Sequence, residues 1–340
     1  MVHVELKPVL HVNDEWRRWI AENLLLDGPP QSIYEQMLRA GIPQDEAVQE
    51  LQQAMASPYI AGAQRLRNRL AKHDWLLDTQ RHMNRLRDTE VPRRHKLSRA
   101  EFLDAYYTAG RPVIITGMMD DWPAMTRWNL DYFKERCGER EVEIQFGRDS
   151  DAQYELRKTA HRKTMPFGDY VEMVRAAGHS NDFYMTAYNE GCNRQALDVL
   201  WQDIVQIPEY LSGDGPTQGF LWFGPSGTIT PFHHDLTNNF MAQVLGRKRV
   251  LLMPACEIAH VYNHEHCFTH VDGRQIDLQR YPGMADVQVL SCTLNPGEVL
   301  FLPVGCWHFV EGLDVSVTVS FTNFLWDNDF MAEYPQQQVF

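Results

Sequence analysis

Residues 239–253, NFMAQVLGRKRVLLM, contain two apolar runs separated by a short polar segment with Gly246. Both runs have the length of β strands, and similar short runs continue toward the C-terminus. The predicted strands are Gly219–Phe223, Asn239–Val244, Arg249–Met253, Val287–Leu290, Glu298–Leu302 and Val315–Phe324. Because Gly/Pro turns rather than helices separate these strands, the sequence predicts a mainly β core, either a β-barrel or a double-sheet jelly roll.

The first ninety or so residues have helical periodicity instead. Ser32 to Met55 repeats apolar positions at three- and four-residue spacing, with Gly41-Ile42-Pro43 as a helix stop and restart. A second helix is predicted from about Ile60 to Arg87. Pro92–His95 has the composition of a hinge, and after it short apolar runs replace the helical periodicity. The sequence therefore predicts a helical N-terminal extension before the β core.

The charge of the chain is unevenly distributed. The 340 residues include 32 basic and 45 acidic side chains, for a formal net charge of −13. Residues 51–100 carry 11 bases and 4 acids, whereas residues 101–340 carry 17 bases and 32 acids. The acidic part repels phosphate backbones, so nucleic acid is a disfavoured partner there. The basic helix has either a solvated face or a docking face for an acidic partner or a second subunit.

The cysteines and the hydropathy pattern bear on the compartment. The six cysteines lie far apart without a C-x-x-C pair, and no apolar signal region precedes them. We therefore expect reduced thiols in a cytoplasmic protein. No stretch approaches the roughly 18 consecutive apolar residues of a membrane span, so none is expected.

The strongest candidates for metal ligands lie in TPFHHD, residues 230–235. His233 and Asp235 share one face of an extended chain because they are two residues apart, and His234 between them faces away. His308, which follows Trp307 and lies 73 residues after Asp235, is available as a third ligand. Two imidazoles and one carboxylate leave the opposite positions of a metal open, as in non-haem Fe(II) oxygenases.

A fourth residue makes this pattern specific. Lys248 lies thirteen residues after Asp235, at the start of the next apolar strand, and suits the distal carboxylate of a dicarboxylic keto acid. The chain contains a second H-x-D, His270-Val-Asp272, with Ala285 at the corresponding spacing. We expect this second motif to be a surface accident.

Together these residues closely resemble the Jumonji-C (cupin-like) 2-oxoglutarate oxygenases. The matching motifs are TPFHHD (230–235), GRK (246–248), PGEVLFLP (296–303) and WH (307–308). Within that family the sequence looks most similar to protein hydroxylases, namely the arginyl hydroxylase type and the asparaginyl hydroxylase that acts on hypoxia-inducible factor. The resemblance covers roughly Leu97 to Trp326 and implies a double-stranded β-helix core flanked by helices. It also implies Fe(II) as the metal and 2-oxoglutarate and O₂ as cosubstrates.

The resemblance implies a role for individual residues. His233, Asp235 and His308 correspond to the iron ligands. Lys248 corresponds to the residue that binds the distal carboxylate of 2-oxoglutarate.

Other positions match less directly. Thr230 and Asn239 match cosubstrate-pocket positions, and Tyr184 matches a tyrosine that reaches the same distal carboxylate. Trp222 either lines the substrate side or fills the mouth of the barrel. Ser320 falls where relatives often have Asn.

The resemblance implies an Fe(II)- and 2-oxoglutarate-dependent dioxygenase that hydroxylates a side chain of a protein or peptide, with succinate and CO₂ as coproducts. The acidic C-terminal half favours a cationic, Arg- or Lys-containing substrate. Alternatives are a hydroxylase of a free amino acid or small natural-product peptide, and an N-methyl-lysine demethylase. A nucleic-acid-modifying oxygenase and a non-catalytic cupin module are less favoured. We expect residues 1–92 to serve dimerisation or substrate docking and residues 93–340 to form the catalytic domain.

A second group of possible metal ligands precedes the later strands. Its members are His260, His264, His266, Cys267 and His270. The residue types suit zinc, but the spacings match no closed four-ligand pattern, so a metal site and a polar loop both remain open.

Overall fold

The computed structural model describes residues 10–87, 89–187, 191–213 and 219–335. The chain divides into two compact units, Met1–Gln80 and Arg81–Phe340. This division precedes the expected boundary at residue 92, because the last turn of the long N-terminal helix belongs to the second unit. There Asn84 Nδ2 donates a hydrogen bond to Cys256 Sγ at 3.4 Å.

The first unit is helical, as predicted. Its helices are α1 (Asp14–Leu25), α2 (Pro30–Ala40), α3 (Gln44–Ala56) and most of α4 (Pro58–Asn84). Gly41 ends α2 in the left-handed conformation at φ 97°, which confirms the predicted stop. The core of this unit is formed by Ile20, Ile33, Met37, Ile42, Ala47 and Leu51. None of the helices in the described part of the chain combines the length and apolar composition that a bilayer crossing requires.

The second unit is built from strands with short helices among them. Its strands are β1 (Arg93–His95), β2 (Val113–Thr116), β3 (Glu141–Phe146), β4 (Arg162–Pro166), β5 (Phe183–Tyr184), β6 (Phe220–Gly224), β7 (Ile229–His234), β8 (Asn239–Leu245), β9 (Lys248–Met253), β10 (Asn263–Glu265), β11 (Phe268–Thr269), β12 (Leu290–Leu294), β13 (Glu298–Leu302), β14 (Trp307–Gly312) and β15 (Ser316–Phe321). Its further helices are α5 (Arg99–Phe102), α6 (Ala124–Arg127), α7 (Leu130–Cys137), α8 (Phe167–Ala177) and α9 (Cys192–Ala196).

Two six-stranded sheets form the core. One sheet has the order β1-β2-β13-β8-β15-β6 and the other β10-β11-β7-β14-β9-β12, while β4-β3-β5 form a small third sheet. Sequence neighbours such as β7 and β8 lie in different sheets, so the chain crosses between the sheets as it winds. This arrangement confirms the predicted double-stranded β-helix with flanking helices.

Strand β8 shows how the two faces differ. Phe240, Ala242 and Val244 point into the cluster that joins this sheet to the helices of the second unit. Met241 belongs to the cluster between the sheets, and Asn239 lines the same interior. Because both faces are covered, the strand is almost continuously apolar, which is why it stands out in the sequence.

Two predicted elements are wrong. The strand expected at Val287–Leu290 is β12, Leu290–Leu294, because a 3₁₀ helix occupies Pro282–Asp286 and pairing with β9 begins at Leu290. The expected hinge contains strand β1, which pairs in parallel with β2. In both cases, pairing with another strand determines where the strand lies, and local composition does not reveal that pairing.

The turn between β8 and β9 depends on a glycine. Gly246 has φ +66°, and a Cβ atom there would lie 2.1 Å from the carbonyl oxygen of Val315. We expect Gly246→Ala to lower the free energy of unfolding by about 3 kcal/mol or more, as measured by urea denaturation. Gly297 is the matched control, because it also has positive φ (+86°) but its nearest neighbour, Met125 Cε, is 3.9 Å away. Gly297→Ala should cost only about 1 kcal/mol, and equal losses for the two variants would contradict the steric argument.

Candidate metal and cosubstrate site

The three predicted metal ligands meet at one end of two paired strands. His233 lies near the end of β7, Asp235 follows directly, and His308 is the second residue of β14. These strands are antiparallel neighbours, with His308 opposite His233. The register of this pair therefore brings together residues that are far apart in sequence.

The side chains converge to the dimensions of a single ion. One ligand atom from each of the three residues lies within 4.8 Å of the others. His233 Nε2 is 3.7 Å from Asp235 Oδ1, and His308 Nε2 is 3.9 Å from Asp235 Oδ2. Among the residues that the structure describes, this is the only such group of three or more His, Cys, Asp or Glu side chains.

Hydrogen bonds orient both imidazoles toward the centre. His233 Nδ1 is 2.9 Å from the Pro231 carbonyl oxygen, and His308 Nδ1 is 3.0 Å from the Cys306 carbonyl oxygen. A carbonyl oxygen can only accept, so each Nδ1 carries a proton, and in the neutral ring each Nε2 then keeps a lone pair. This tautomer suits a divalent metal ion at the centre.

The pKa shifts agree with that assignment. Burial, reinforced by the neighbouring His233, lowers the pKa of His308 to about 4. Burial alone would raise the pKa of Asp235, but His308, His233 and a hydrogen bond from Asn239 Nδ2 at 3.0 Å lower it. A neutral imidazole and an ionised carboxylate are the states that bind metal.

A β-bulge places Thr230 on the same side as the ligands. Residues three apart in a regular strand face opposite ways, so Thr230 and His233 would be separated. Between the paired positions His308 and Val310 of β14, however, β7 contains one extra residue. Both Thr230 and His233 therefore face the interior.

Thr230 and His233 line a cavity between the two sheets, together with the other ligands. The lining residues are Tyr184, Trp222, Thr230, His233, Asp235, Asn239, Met241, Lys248, Leu302, His308, Val310 and Ser320. Every residue to which the sequence assigned a site role is in this set.

Lys248 is the unusual member of the cavity. Its side chain is 2% exposed, and its Nζ donates to Tyr184 Oη at 3.0 Å. No carboxylate among the described residues forms an ion pair with it, and burial lowers the pKa of its ammonium to about 7. A buried ammonium without a counterion is costly, which suits a site that receives an anion.

Trp222 and Ser320 form a hydrogen-bonded pair in the cavity wall. Trp222 Nε1 donates to Ser320 Oγ at 2.8 Å, and the Trp222 ring packs 5.9 Å from that of Tyr184. Ser320 thus belongs to the lining although it departs from the Asn that relatives often have. The substrate role of Trp222 stays a prediction.

The histidines outside the triad have different surroundings. His234 faces away from the cavity, with its Nε2 3.1 Å from Tyr334 Oη. Asp272 of the second H-x-D motif pairs with Arg274 at 2.7 Å. The described side chains of the later His/Cys group do not converge into a cluster of three ligands, and the side chain of His264 lies outside the described residues.

Sequence reasoning missed four residues in or behind the wall of the cavity. Met241, Leu302 and Val310 supply apolar lining. Strand alternation from Asn239 could have found Met241, which is two residues later on the same face. Arg148 is buried, with its guanidinium carbon 5.3 Å from the centroid of the Tyr184 ring, and no sequence motif marks it.

Comparisons with known proteins agree with this geometry. Residues 99–331 match the family model described as a cupin-like domain. The chain is 34% identical over 249 residues to the lysine-specific demethylase JMJ30 of Arabidopsis thaliana, covering 70% of this chain and 55% of that protein. It is 29% identical over 243 residues to lysine-specific demethylase 8 of Xenopus tropicalis, covering 69% and 53%. It is 27% identical over 243 residues to tRNA wybutosine-synthesizing protein 5 of Gallus gallus, covering 68% and 76%. The match spans only about half the length of the two demethylases.

Proposed function

Because the chain belongs to the cupin-like Jumonji-C family of Fe(II)- and 2-oxoglutarate-dependent oxygenases, we propose that it hydroxylates a side chain of a protein or peptide. The observation that carries this proposal is the single cavity lined by both the His233, Asp235 and His308 triad and Lys248, which forms no ion pair with a described carboxylate. The triad suits a divalent metal, and Lys248 suits a carboxylate.

Seven residues of the cavity have a defined task in this proposal. His233 and His308 offer neutral Nε2 atoms to Fe(II), and Asn239 holds Asp235 in place as the anionic ligand. Lys248 and Tyr184 bind the distal carboxylate of 2-oxoglutarate, with Thr230 beside them. Iron with 2-oxoglutarate and O₂ would supply the oxidising power through decarboxylation to succinate and CO₂.

Charge supports a cationic substrate. From Ala176 to Phe340 the chain has 6 basic and 18 acidic residues. One of these six bases, Lys248, is buried and committed to the cosubstrate in this proposal. An acidic surface steers Arg- or Lys-containing segments toward the site and repels nucleic acid.

Mass spectrometry of peptide pools tests the reaction. The protein is incubated with Fe(II), 2-oxoglutarate and Arg- or Lys-containing peptides, unmethylated and N-methylated. A mass gain of one oxygen atom that depends on 2-oxoglutarate supports hydroxylation. Oxidation of free amino acids with no peptide product would contradict the proposed substrate class.

Lysine demethylation is the second candidate. It is favoured by the names of the relatives from Arabidopsis and Xenopus, and the same residues would serve it. Hydroxylation of an N-methyl carbon gives a hemiaminal that releases formaldehyde. If methyl-lysine lost a CH₂ unit and no oxygenated product formed, demethylation would replace hydroxylation as the proposed reaction. Oxidation of tRNA alone would replace both and would agree with the name of the relative from Gallus.

Lys248 predicts how cosubstrate binding depends on pH. Burial lowers the pKa of this lysine to about 7, so below that pH the ammonium is already charged. Above it, binding a carboxylate requires uptake of a proton, and the Kd for 2-oxoglutarate should rise about tenfold per pH unit. Calorimetry on the Mn²⁺-loaded protein measures this without turnover. The arginine of Lys248→Arg stays protonated, so the Kd of this variant should not depend on pH even if its affinity is lower. A wild-type Kd that does not change with pH would contradict the assignment of Lys248 to the distal carboxylate.

Two further proposals concern assembly and compartment. Leu66 and Leu70 of α4 are 64% and 58% exposed, which supports a homodimer through the N-terminal helices. Sedimentation velocity distinguishes a dimer from a monomer.

The six cysteines are free thiols, which supports a reducing compartment such as the cytoplasm.

A further inference from the structure

Arg148 is a buried charge that the proposed reaction does not use directly. It follows Gly147 at the start of a 3₁₀ turn, and its side chain is 0% exposed. Nη2 donates to Glu155 Oε1 at 3.1 Å and to the carbonyl oxygen of Ile229 at 2.6 Å. The pair with Glu155 is therefore an ion pair inside the protein, which contributes little net stability compared with apolar packing.

The guanidinium lies close to two tyrosine rings. Its central carbon is 4.1 Å from the ring centroid of Tyr154 and 5.3 Å from that of Tyr184. Nε and Nη1 have no hydrogen-bond partner among the described residues, so cation–π contact with these rings is the interaction available to that side of the group. A planar cation held in this way fixes the positions of both rings.

The two rings belong to different cavities. Tyr184 lines the cosubstrate cavity and accepts the hydrogen bond from Lys248. Tyr154, Glu155 and Ile229 line a second groove. Phe268 also lines this second groove and stacks on the ring of His233, with 5.4 Å between centroids. Arg148 therefore contacts one tyrosine that lines the cosubstrate cavity and one that lines a second groove, and Phe268 of that groove packs on the metal ligand His233.

Arg148 also holds the strand that carries the metal ligands. Ile229 is the first residue of β7, and its carbonyl oxygen accepts from both Arg148 and Tyr154 Oη, the latter at 3.2 Å. The next residue, Thr230, lines the cosubstrate cavity immediately before the bulge. Movement of the guanidinium would thus displace two cavity residues, Tyr184 through its ring and Thr230 through the backbone.

We propose that Arg148, held by Glu155, is a positioning residue that sets Tyr184 and the start of β7 for binding of 2-oxoglutarate. This inference rests on the proposed function. It assigns to Arg148 no contact with the cosubstrate or the metal. Its effect should therefore appear in cosubstrate affinity more than in metal affinity.

The test uses binding to the full-length protein loaded with Mn²⁺, alongside steady-state kinetics. Arg148→Met should raise the Kd and KM for 2-oxoglutarate about tenfold and leave the Mn²⁺ affinity within about twofold. Arg148→Lys, which keeps the charge without the planar group, should recover part of the loss. Arg157→Met is the matched control, because Arg157 is an exposed arginine on the same segment that pairs with Asp151.

A double-mutant cycle with Tyr184→Phe separates positioning from general stability. If Arg148 acts through Tyr184, the two effects on the Kd should be clearly less than additive. An Arg148→Lys protein with a lower Tm but unchanged Kd and KM would overturn the inference, as would full additivity. If the wild type binds 2-oxoglutarate normally in such a case, the proposed function survives and only the role of Arg148 fails. No binding by the wild type would overturn both.

Discussion

Asp235→Asn is expected to abolish 2-oxoglutarate turnover, with a loss of about 10³-fold or more. The substitution keeps the shape of the side chain and removes the only anionic ligand in the triad. Asp235 lies within 4 Å of both imidazoles, at 3.7 Å from His233 Nε2 and 3.9 Å from His308 Nε2. Loss of its charge should weaken binding of Mn²⁺ or Fe(II) by about 10²-fold or more, as measured by metal titration, because even supporting residues of metal sites contribute about 10–100-fold.

The second H-x-D motif supplies a matched control. Asp272→Asn makes the same chemical change at an exposed carboxylate that pairs with Arg274. Its metal affinity should equal that of the wild type. Thermal denaturation of both variants shows whether each is folded. Equal metal affinity for Asp235→Asn and the wild type would remove the triad from the mechanism.

Lys248→Met is expected to have opposite effects on cosubstrate binding and on stability. Without the ammonium, the distal carboxylate of 2-oxoglutarate would be buried without a cationic partner, and its KM should rise about 10²- to 10³-fold. In the protein without cosubstrate, however, the lysine is itself buried with no counterion among the described residues, and burial lowers its pKa to about 7. Replacing it by an apolar side chain of similar length should therefore raise the Tm by a few degrees near neutral pH.

The sign of the stability effect follows from the pKa shift. The unfolded chain holds the Lys248 proton up to its ordinary pKa, whereas the folded protein releases it near pH 7. The folded wild type should thus gain stability as the pH rises above about 7, and Lys248→Met should lose this gain. Lys134→Met is the control, because Lys134 is an exposed lysine that pairs with Glu172. A destabilised Lys248→Met protein with an unchanged KM would contradict both arguments.

Much of the fold could be predicted because strand and helix periods are local properties. The apolar run of β8, the alternation along β15 and the stop at Gly41 depend only on nearby residues. The strand at β12 was displaced, and β1 was missed, because each is defined by its partner strand. Sheet pairing is a long-range property that a short window of sequence does not contain.

In the candidate site, too, some features could be predicted from local sequence and others could not. The sequence is sufficient to predict His233, Asp235 and His308 as metal ligands and Lys248 as a partner for a carboxylate, because their spacing and motifs are specific. The folded structure is needed to show that a bulge brings Thr230 to their side and that Arg148 contacts one tyrosine from each of two cavities. The reason is that both features are non-local. Strand register determines which way a side chain faces after a bulge, and atoms from distant parts of the chain determine whether a buried charge has a partner.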